Sequence, residues 1–166
     1  MKLFITRDVS ASDVCFVISD ELGREKYIAV MKRRKKGVKG VAKNIVRLNI
    51  LDENKNLVAR LRQLPIAGVN SFSLKTEKSA VTLVIVLTNN IIQCRFYGNN
   101  WRILGNIASK NFSIVDVDNA QICNHIKRPL NSELEITDSS NELICLLAAL
   151  CINMVNTVDK LAIQVV

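Results

Sequence analysis

The chain has 166 residues, of which 49% are hydrophobic, and it contains only 2 prolines and 6 glycines. This composition excludes a disordered, collagen-like or linker-dominated protein, and the length suits one domain, residues 1–166, that buries its own core. The 23 lysines and arginines outnumber the 15 aspartates and glutamates, which gives a formal net charge of +8. An excess of positive charge on this scale favours anionic partners.

The N-terminus and the cysteines indicate the cellular compartment of the protein. The charged pair Arg7-Asp8 comes too early for the apolar stretch of a secretory signal, so we expect a cytoplasmic protein. The five cysteines are odd in number, form no CxxC pair and sit among apolar neighbours, which predicts reduced core thiols and no disulfide. They are Cys15, Cys94, Cys123, Cys145 and Cys151.

Short runs of alternating apolar and polar residues, separated by turn residues, fill the chain from Leu3 to Thr137. This period of two predicts about a dozen strands, each with one apolar face. In chain order the predicted strands are Leu3–Thr6, Val14–Ser19, Lys26–Met31, Val46–Ile50, Leu57–Arg62, Ser71–Lys75, Val81–Leu87, Ile92–Tyr97, Trp101–Ile107, Phe112–Val115, Gln121–Lys127 and Leu134–Thr137.

Four of these strands end in the same pattern, an apolar residue followed two positions later by aspartate. The aspartates are Asp20, Asp52, Asp116 and Asp138. Their short side chains accept hydrogen bonds from the backbone two residues on, so the pattern predicts hairpin turns and no chemistry.

The last of these turns leads into a predicted helix from Ser140 to Asn156. Ser139-x-x-Glu142 matches a capping box, in which the serine caps the helix and the glutamate reaches back. Leu143–Leu150 is apolar on every side, so this helix must be surrounded by protein. The apolar stretch, Leu143–Ile152, is too short for a membrane span, which needs ~20 residues.

The segments Trp101-Arg-Ile-Leu-Gly105 and Phe112-Ser-Ile-Val-Asp116, together with the many strands and the apolar C-terminal helix, resemble the LURP-one-related family of the tubby C-terminal-domain-like superfamily. The resemblance covers Val14 to Asp159. It implies an α+β, β-dominated fold, a closed antiparallel barrel of about a dozen strands enclosing a hydrophobic C-terminal helix.

The resemblance also implies a function. Tubby domains bind phosphoinositide head groups at the inner membrane face, and LURP-one-related proteins have no catalysis that maps onto residues here. No position matches a tubby lipid-binding motif residue by residue, so the resemblance implies a class of function without assigning ligands.

The strongest local feature is a basic run between Lys32 and Lys43 that contains no acidic residue. Its seven basic members are Lys32, Arg33, Arg34, Lys35, Lys36, Lys39 and Lys43. Two hypotheses fit this run: a solvated loop, or a site for anionic lipid, where each basic residue contributes ~1 kcal/mol near a charged membrane.

Strand geometry predicts a second basic element. If Val46–Ile50 and Leu57–Arg62 form a hairpin, Arg47 must lie opposite Arg60 or Arg62 on the outer face. Like charges in this position destabilise a hairpin, so either the side chains splay into water or an anion lies between them.

These features favour a non-catalytic binding module for anionic phospholipid or phosphoinositide head groups at the cytoplasmic membrane face, with nucleic acid or another polyanion as the alternative. Single-strand nucleic-acid binders need aromatic platforms, and the basic run has none. His125 is the one histidine and lacks a nucleophile motif or paired metal ligands around it. We therefore expect no enzyme activity, no metal and no cofactor, and the sequence leaves the oligomeric state open.

Overall fold

A computed structural model describes residues 1–10, 14–31, 46–64, 69–88 and 91–162 of the chain. Twelve strands and a C-terminal helix account for most of this described part. They are β1 (Lys2–Arg7), β2 (Val14–Ser19), β3 (Glu25–Met31), β4 (Arg47–Asp52), β5 (Leu57–Leu64), β6 (Asn70–Thr76), β7 (Ala80–Thr88), β8 (Ile91–Tyr97), β9 (Arg102–Asn106), β10 (Asn111–Val115), β11 (Gln121–Lys127), β12 (Ser132–Ile136) and α1 (Glu142–Ala162).

The strands form one closed antiparallel barrel. Each strand pairs with the next along the chain, and β1 pairs with β12, with Leu3 opposite Leu134, to complete the circle. Closure leaves no strand edge unpaired between the first and last strands. The predicted barrel of about a dozen antiparallel strands is therefore confirmed.

Helix α1 lies inside the barrel. Every residue from Cys145 to Cys151 has no exposed surface, including Leu147 and Leu150 at the centre, and the helix contacts β5, β6, β11 and β12. A helix without a polar face is stable only where apolar side chains surround it on all sides. The inward residues of the strands provide this surrounding, so the predicted enclosed helix is also confirmed.

The start and end of the helix differ from the sequence prediction. The cap is Asp138, whose carboxylate accepts a hydrogen bond from Ser140 N at the start of a short 3-10 turn, Ser139–Asn141. Glu142 does not reach back in a capping box, because its carboxylate is paired with Lys26 of β3 at 2.6 Å. The helix continues past Asn156 to Ala162.

The three other aspartate turns share one geometry. In each, the aspartate Oδ1 accepts hydrogen bonds from the backbone N–H groups two and four residues on, at 2.8–3.0 Å. The residue three positions after the aspartate has a positive φ: 77° at Gly23, 63° at Lys55 and 63° at Asn119. This is the three-residue hairpin loop with one left-handed residue, and it confirms the predicted turns.

Because consecutive strands run in opposite directions, successive connections lie at opposite ends of the barrel. The aspartate turns and the start of α1 lie at one end, which we call the acidic end because its turns hold a majority of carboxylates: Asp20, Glu21, Asp52, Glu53, Glu77, Asp116, Asp118 and Asp138, against Arg24, Lys55 and Lys78. We call the opposite end, where the chain passes from β1 to β2 and from β11 to β12, the basic end. Its described connections and adjoining strand ends hold Arg7, Arg47, Lys110, Lys127 and Arg128, against Asp8.

All five cysteines are free thiols, as predicted. In the ranges that the structure describes, no helix combines the length and the apolar character needed to cross a membrane.

Candidate anion-binding site

Three of the predicted site residues lie within the described structure: Arg47 on β4, and Arg60 and Arg62 on β5. The other seven lie outside the described residues: Lys32, Arg33, Arg34, Lys35, Lys36, Lys39 and Lys43. The site is therefore built from the strand residues.

Register brings Arg47 and Arg62 directly opposite each other. Leu48 pairs with Leu61 and Ile50 with Ala59, all buried, so the alternate residues of both strands face outward. Opposed residues on antiparallel strands point the same way, about 5 Å apart. The predicted like-charged pair is confirmed, with Arg62 as the partner of Arg47.

A second outward row extends this positive surface onto β6. Arg60 lies opposite Asn49 on one side and opposite Lys75 of β6 on the other. We call Arg47, Arg60, Arg62 and Lys75 the cation cluster. Sequence analysis missed Lys75, because it predicted a register for the β4–β5 hairpin and none for β5 with β6.

The cation cluster has no internal counter-charge. In the described ranges, none of its four side chains lies within 4.0 Å of a carboxylate, although five other ion pairs occur on the barrel. The Arg47 Nε is buried and has no hydrogen-bond acceptor among the residues that the structure describes. An anion that bound between Arg47 and Arg62 would relieve both the repulsion and the unmade hydrogen bond.

A cavity of about 670 Å³ opens at the acidic end, where α1 begins, and shares two residues with the cation cluster. Arg60 and Lys75 lie on its wall, while Trp101, Leu143 and Tyr27 supply apolar surface. Burial, and then the neighbouring Glu142 carboxylate, raise the pKa of Tyr27. The two cations therefore border both the outer face of the barrel and this cavity.

His125 lies in the interior of the barrel. It is fully buried and stacks on Phe112 with ring centroids 4.7 Å apart. Its Nδ1 donates to the Lys110 carbonyl at 2.7 Å, and its Nε2 accepts from Asn153 Nδ2 of α1 at 3.2 Å. Burial lowers the pKa of His125 to about 4, so the ring is neutral at pH 7 and joins the barrel wall to the helix.

No group of three or more histidine, cysteine, aspartate or glutamate side chains suited to a metal ion occurs in the part of the chain that the structure describes. Comparison with known proteins adds no parallel: no family model, curated protein or solved structure matches the chain.

Proposed function

We propose that the protein is a non-catalytic binding module for anionic phospholipid or phosphoinositide head groups, acting as a peripheral protein at the cytoplasmic face of a membrane. The observation that supports this proposal best is the pair Arg47 and Arg62, opposed across two strands without a carboxylate between them. Two like charges opposed across a hairpin destabilise it, and a single substitution would remove that repulsion. The presence of both arginines therefore favours a binding role for the pair.

Phosphate chemistry suits this arrangement. A guanidinium presents its donors in a planar fork that matches phosphate oxygens, and two opposed arginines offer two such forks. In the next row of the same face, Arg60 adds a third guanidinium and Lys75 adds a compact ammonium charge. Phosphoinositide head groups carry several phosphates, so they could engage both rows together.

The basic run remains part of the proposal as a sequence prediction. The run lies outside the described residues; in the sequence it stands between Met31, the last residue of β3, and Val46, just before Arg47. We also propose the LURP-one-related family for the chain, since a closed barrel around an apolar helix is the fold that the resemblance implies.

The outward residues of the described strands β4, β5 and β6 include no aromatic side chain. Single-stranded nucleic acid is bound through aromatic stacking beside a basic groove, so the surface around Arg47 and Arg62 favours lipid phosphate over nucleic acid.

Vesicle co-sedimentation tests the proposal. We expect wild type to bind vesicles that contain phosphatidylserine or phosphoinositide, not neutral vesicles, with binding that weakens as salt rises and persists beside an oligonucleotide competitor. Arg47→Gln/Arg62→Gln should bind up to about 30-fold more weakly, since each cation contributes ~1 kcal/mol. Release by the oligonucleotide would favour nucleic acid instead.

Lys55→Gln/Lys78→Gln is the matched control, because it removes the same charge from turns at the acidic end. Equal loss in both variants would show that only net charge matters. The basic run is tested by changing Arg33, Arg34, Lys35 and Lys36 to glutamine, which we expect to abolish binding without lowering Tm; unchanged binding would exclude the run from the site.

A further inference from the structure

The two most exposed of the large apolar side chains that the structure describes lie on neighbouring connections at the basic end. Val9, after β1, is 92% exposed, and Leu130, between β11 and β12, is 88% exposed. Because β1 and β12 pair with Ile5 opposite Ser132, the same register carried forward brings Arg7 level with Leu130. Two exposed aliphatic side chains therefore lie on neighbouring connections at one end of the barrel.

Cations surround these two tips. Lys127 and Arg128 precede Leu130, and Arg7 precedes Val9. Of the nearby carboxylates, Glu133 pairs with Lys2 and Arg128, while Asp8 accepts the Ser10 N–H and keeps its negative charge. The three cations Arg7, Lys127 and Arg128 therefore outnumber the carboxylates around the two tips.

Exposed apolar tips at the acidic end have the opposite surroundings. Leu22 is 76% exposed beside Asp20 and Glu21, and Val117 is 59% exposed between Asp116 and Asp118. Insertion of these tips would carry carboxylates toward an anionic surface, where they are repelled. Single exposed apolar residues need no explanation, but this difference between the ends distinguishes Val9 and Leu130.

We infer that Val9 and Leu130 insert into the head-group region of an anionic bilayer, so that the barrel docks end-on with its basic end toward the membrane. This inference rests on the proposed function and adds the orientation and the apolar anchor. Arg7, Lys127 and Arg128 then lie at phosphate level, and Arg47 and Arg62 lie close to the same end. Aliphatic insertion adds a contribution that salt does not screen, unlike the attraction of cations.

A fluorescent reporter tests this orientation. Trp101 is the one tryptophan, so in a Trp101→Phe background the variant Leu130→Trp carries a single indole at the basic end. With vesicles of phosphatidylcholine and phosphatidylserine, its emission should shift to shorter wavelength and be quenched by brominated acyl chains. Leu22→Trp in the same background, with its indole at the acidic end, should show neither effect.

Affinity gives a second measurement. Val9→Ser/Leu130→Ser removes the apolar tips at exposed positions, so Tm should stay unchanged while vesicle affinity falls about tenfold, most clearly at high salt. Quenching of both reporters, or of the Leu22→Trp reporter alone, would overturn the end-on orientation.

The two proposals fail differently. If vesicles bind in a way that depends on Arg47 and Arg62 while the Leu130→Trp emission does not change, the insertion is wrong and the proposed function stands. If wild type does not bind anionic vesicles, both proposals are wrong.

Discussion

The two ends of the barrel are built from the same twelve strands but differ in charge and in the design of their connections. At the acidic end, Asp20, Asp52 and Asp116 close short turns with the same pair of hydrogen bonds, and α1 begins there. At the basic end, the described connections and adjoining strand ends carry Arg7, Lys110 and Arg128 with a single aspartate, Asp8.

The residues that form the turns at the acidic end also give that end its negative charge. An aspartate that caps a turn also places a carboxylate at that end, and the alternation of hairpins repeats it at the same end each time. The enclosed helix runs from the acidic to the basic end, so carboxylates lie near the positive end of its dipole. The barrel therefore has a charge axis that coincides with its helix.

The largest expected effect concerns the helix that links the two ends. Leu147→Asp would place an unpaired carboxylate at a position with no exposed surface. The cost is several kcal/mol out of a total stability of ~5–15 kcal/mol, so the protein should not fold cooperatively by circular dichroism. Leu147→Met, which conserves volume, should fold at a cost below ~1.5 kcal/mol. A soluble, cooperatively unfolding Leu147→Asp protein would contradict the enclosed helix.

Titratable groups at the two ends should lose their contributions to stability in different pH ranges. His125, near the basic end, has a folded pKa of about 4 against 6.5 when unfolded, so the unfolded chain binds more protons between those values. Its stabilisation is present above about pH 6.5 and is lost as pH falls toward 4, by about 3 kcal/mol in denaturant titrations. At the acidic end, hydrogen bonding from Arg24 lowers the pKa of Asp20 below 3.8. The stabilisation that the ionised Asp20 carboxylate provides is therefore lost at a lower pH than that of His125.

The matched variant for this pH dependence is His125→Gln, which lacks the titrating ring. Its stability should be nearly flat from pH 6.5 to 4.5. A slope equal to that of wild type would mean that another group is responsible.

Glycines serve different needs at the two ends. Gly105, near the basic end, has φ +109°, and an added Cβ would lie 2.8 Å from the Asn111 carbonyl oxygen. Gly23, in an acidic-end turn, has φ +77° and open space around it. Gly105→Ala should lower the free energy of unfolding by about 1–3 kcal/mol, and more than Gly23→Ala does in parallel thermal melts. Equal losses would contradict the close approach of β9 and β10.

The smallest effect is expected at the acidic end. Asp52→Ala removes three hydrogen bonds from an exposed turn, two of them from backbone N–H groups, and should cost about 1 kcal/mol by urea unfolding. Glu53→Ala, one residue away in the same turn, should stay within about 0.5 kcal/mol of wild type. If both substitutions cost the same, the aspartate turn does not depend on its carboxylate.

Much of the fold could be predicted from sequence because alternation fixes both the type and the face of each strand. The predicted Val14–Ser19 and Gln121–Lys127 match β2 and β11 residue for residue, and the other strands differ by one or two residues at one or both ends. The helix start was predicted wrongly, because the Ser139-x-x-Glu142 pattern cannot reveal that Lys26, far along the chain, attracts the glutamate.

The candidate site was only partly predictable for the same reason. The Arg47–Arg62 pair follows from one hairpin, whereas the position of Lys75 needs the next register as well. The burial of His125 depends on Asn153, 28 residues away. In the sequence Asn153 interrupts an apolar helix, but in the structure its side chain donates a hydrogen bond to the imidazole.

Barrel closure has a consequence for how the chain is made. The N-terminal amine of Met1 donates to the Ile136 carbonyl across 135 residues of sequence, so the first strand must wait for the last before its second edge is covered. A ribosome delivers the partner strands in order, and the apolar helix that fills the interior emerges after all of them. Until then the growing sheet exposes an open edge and an unfilled apolar face, the features by which nascent chains associate wrongly. Closure of such distant contacts is intrinsically slow, so biosynthesis exposes this protein to aggregation for longer than a fold built from local contacts.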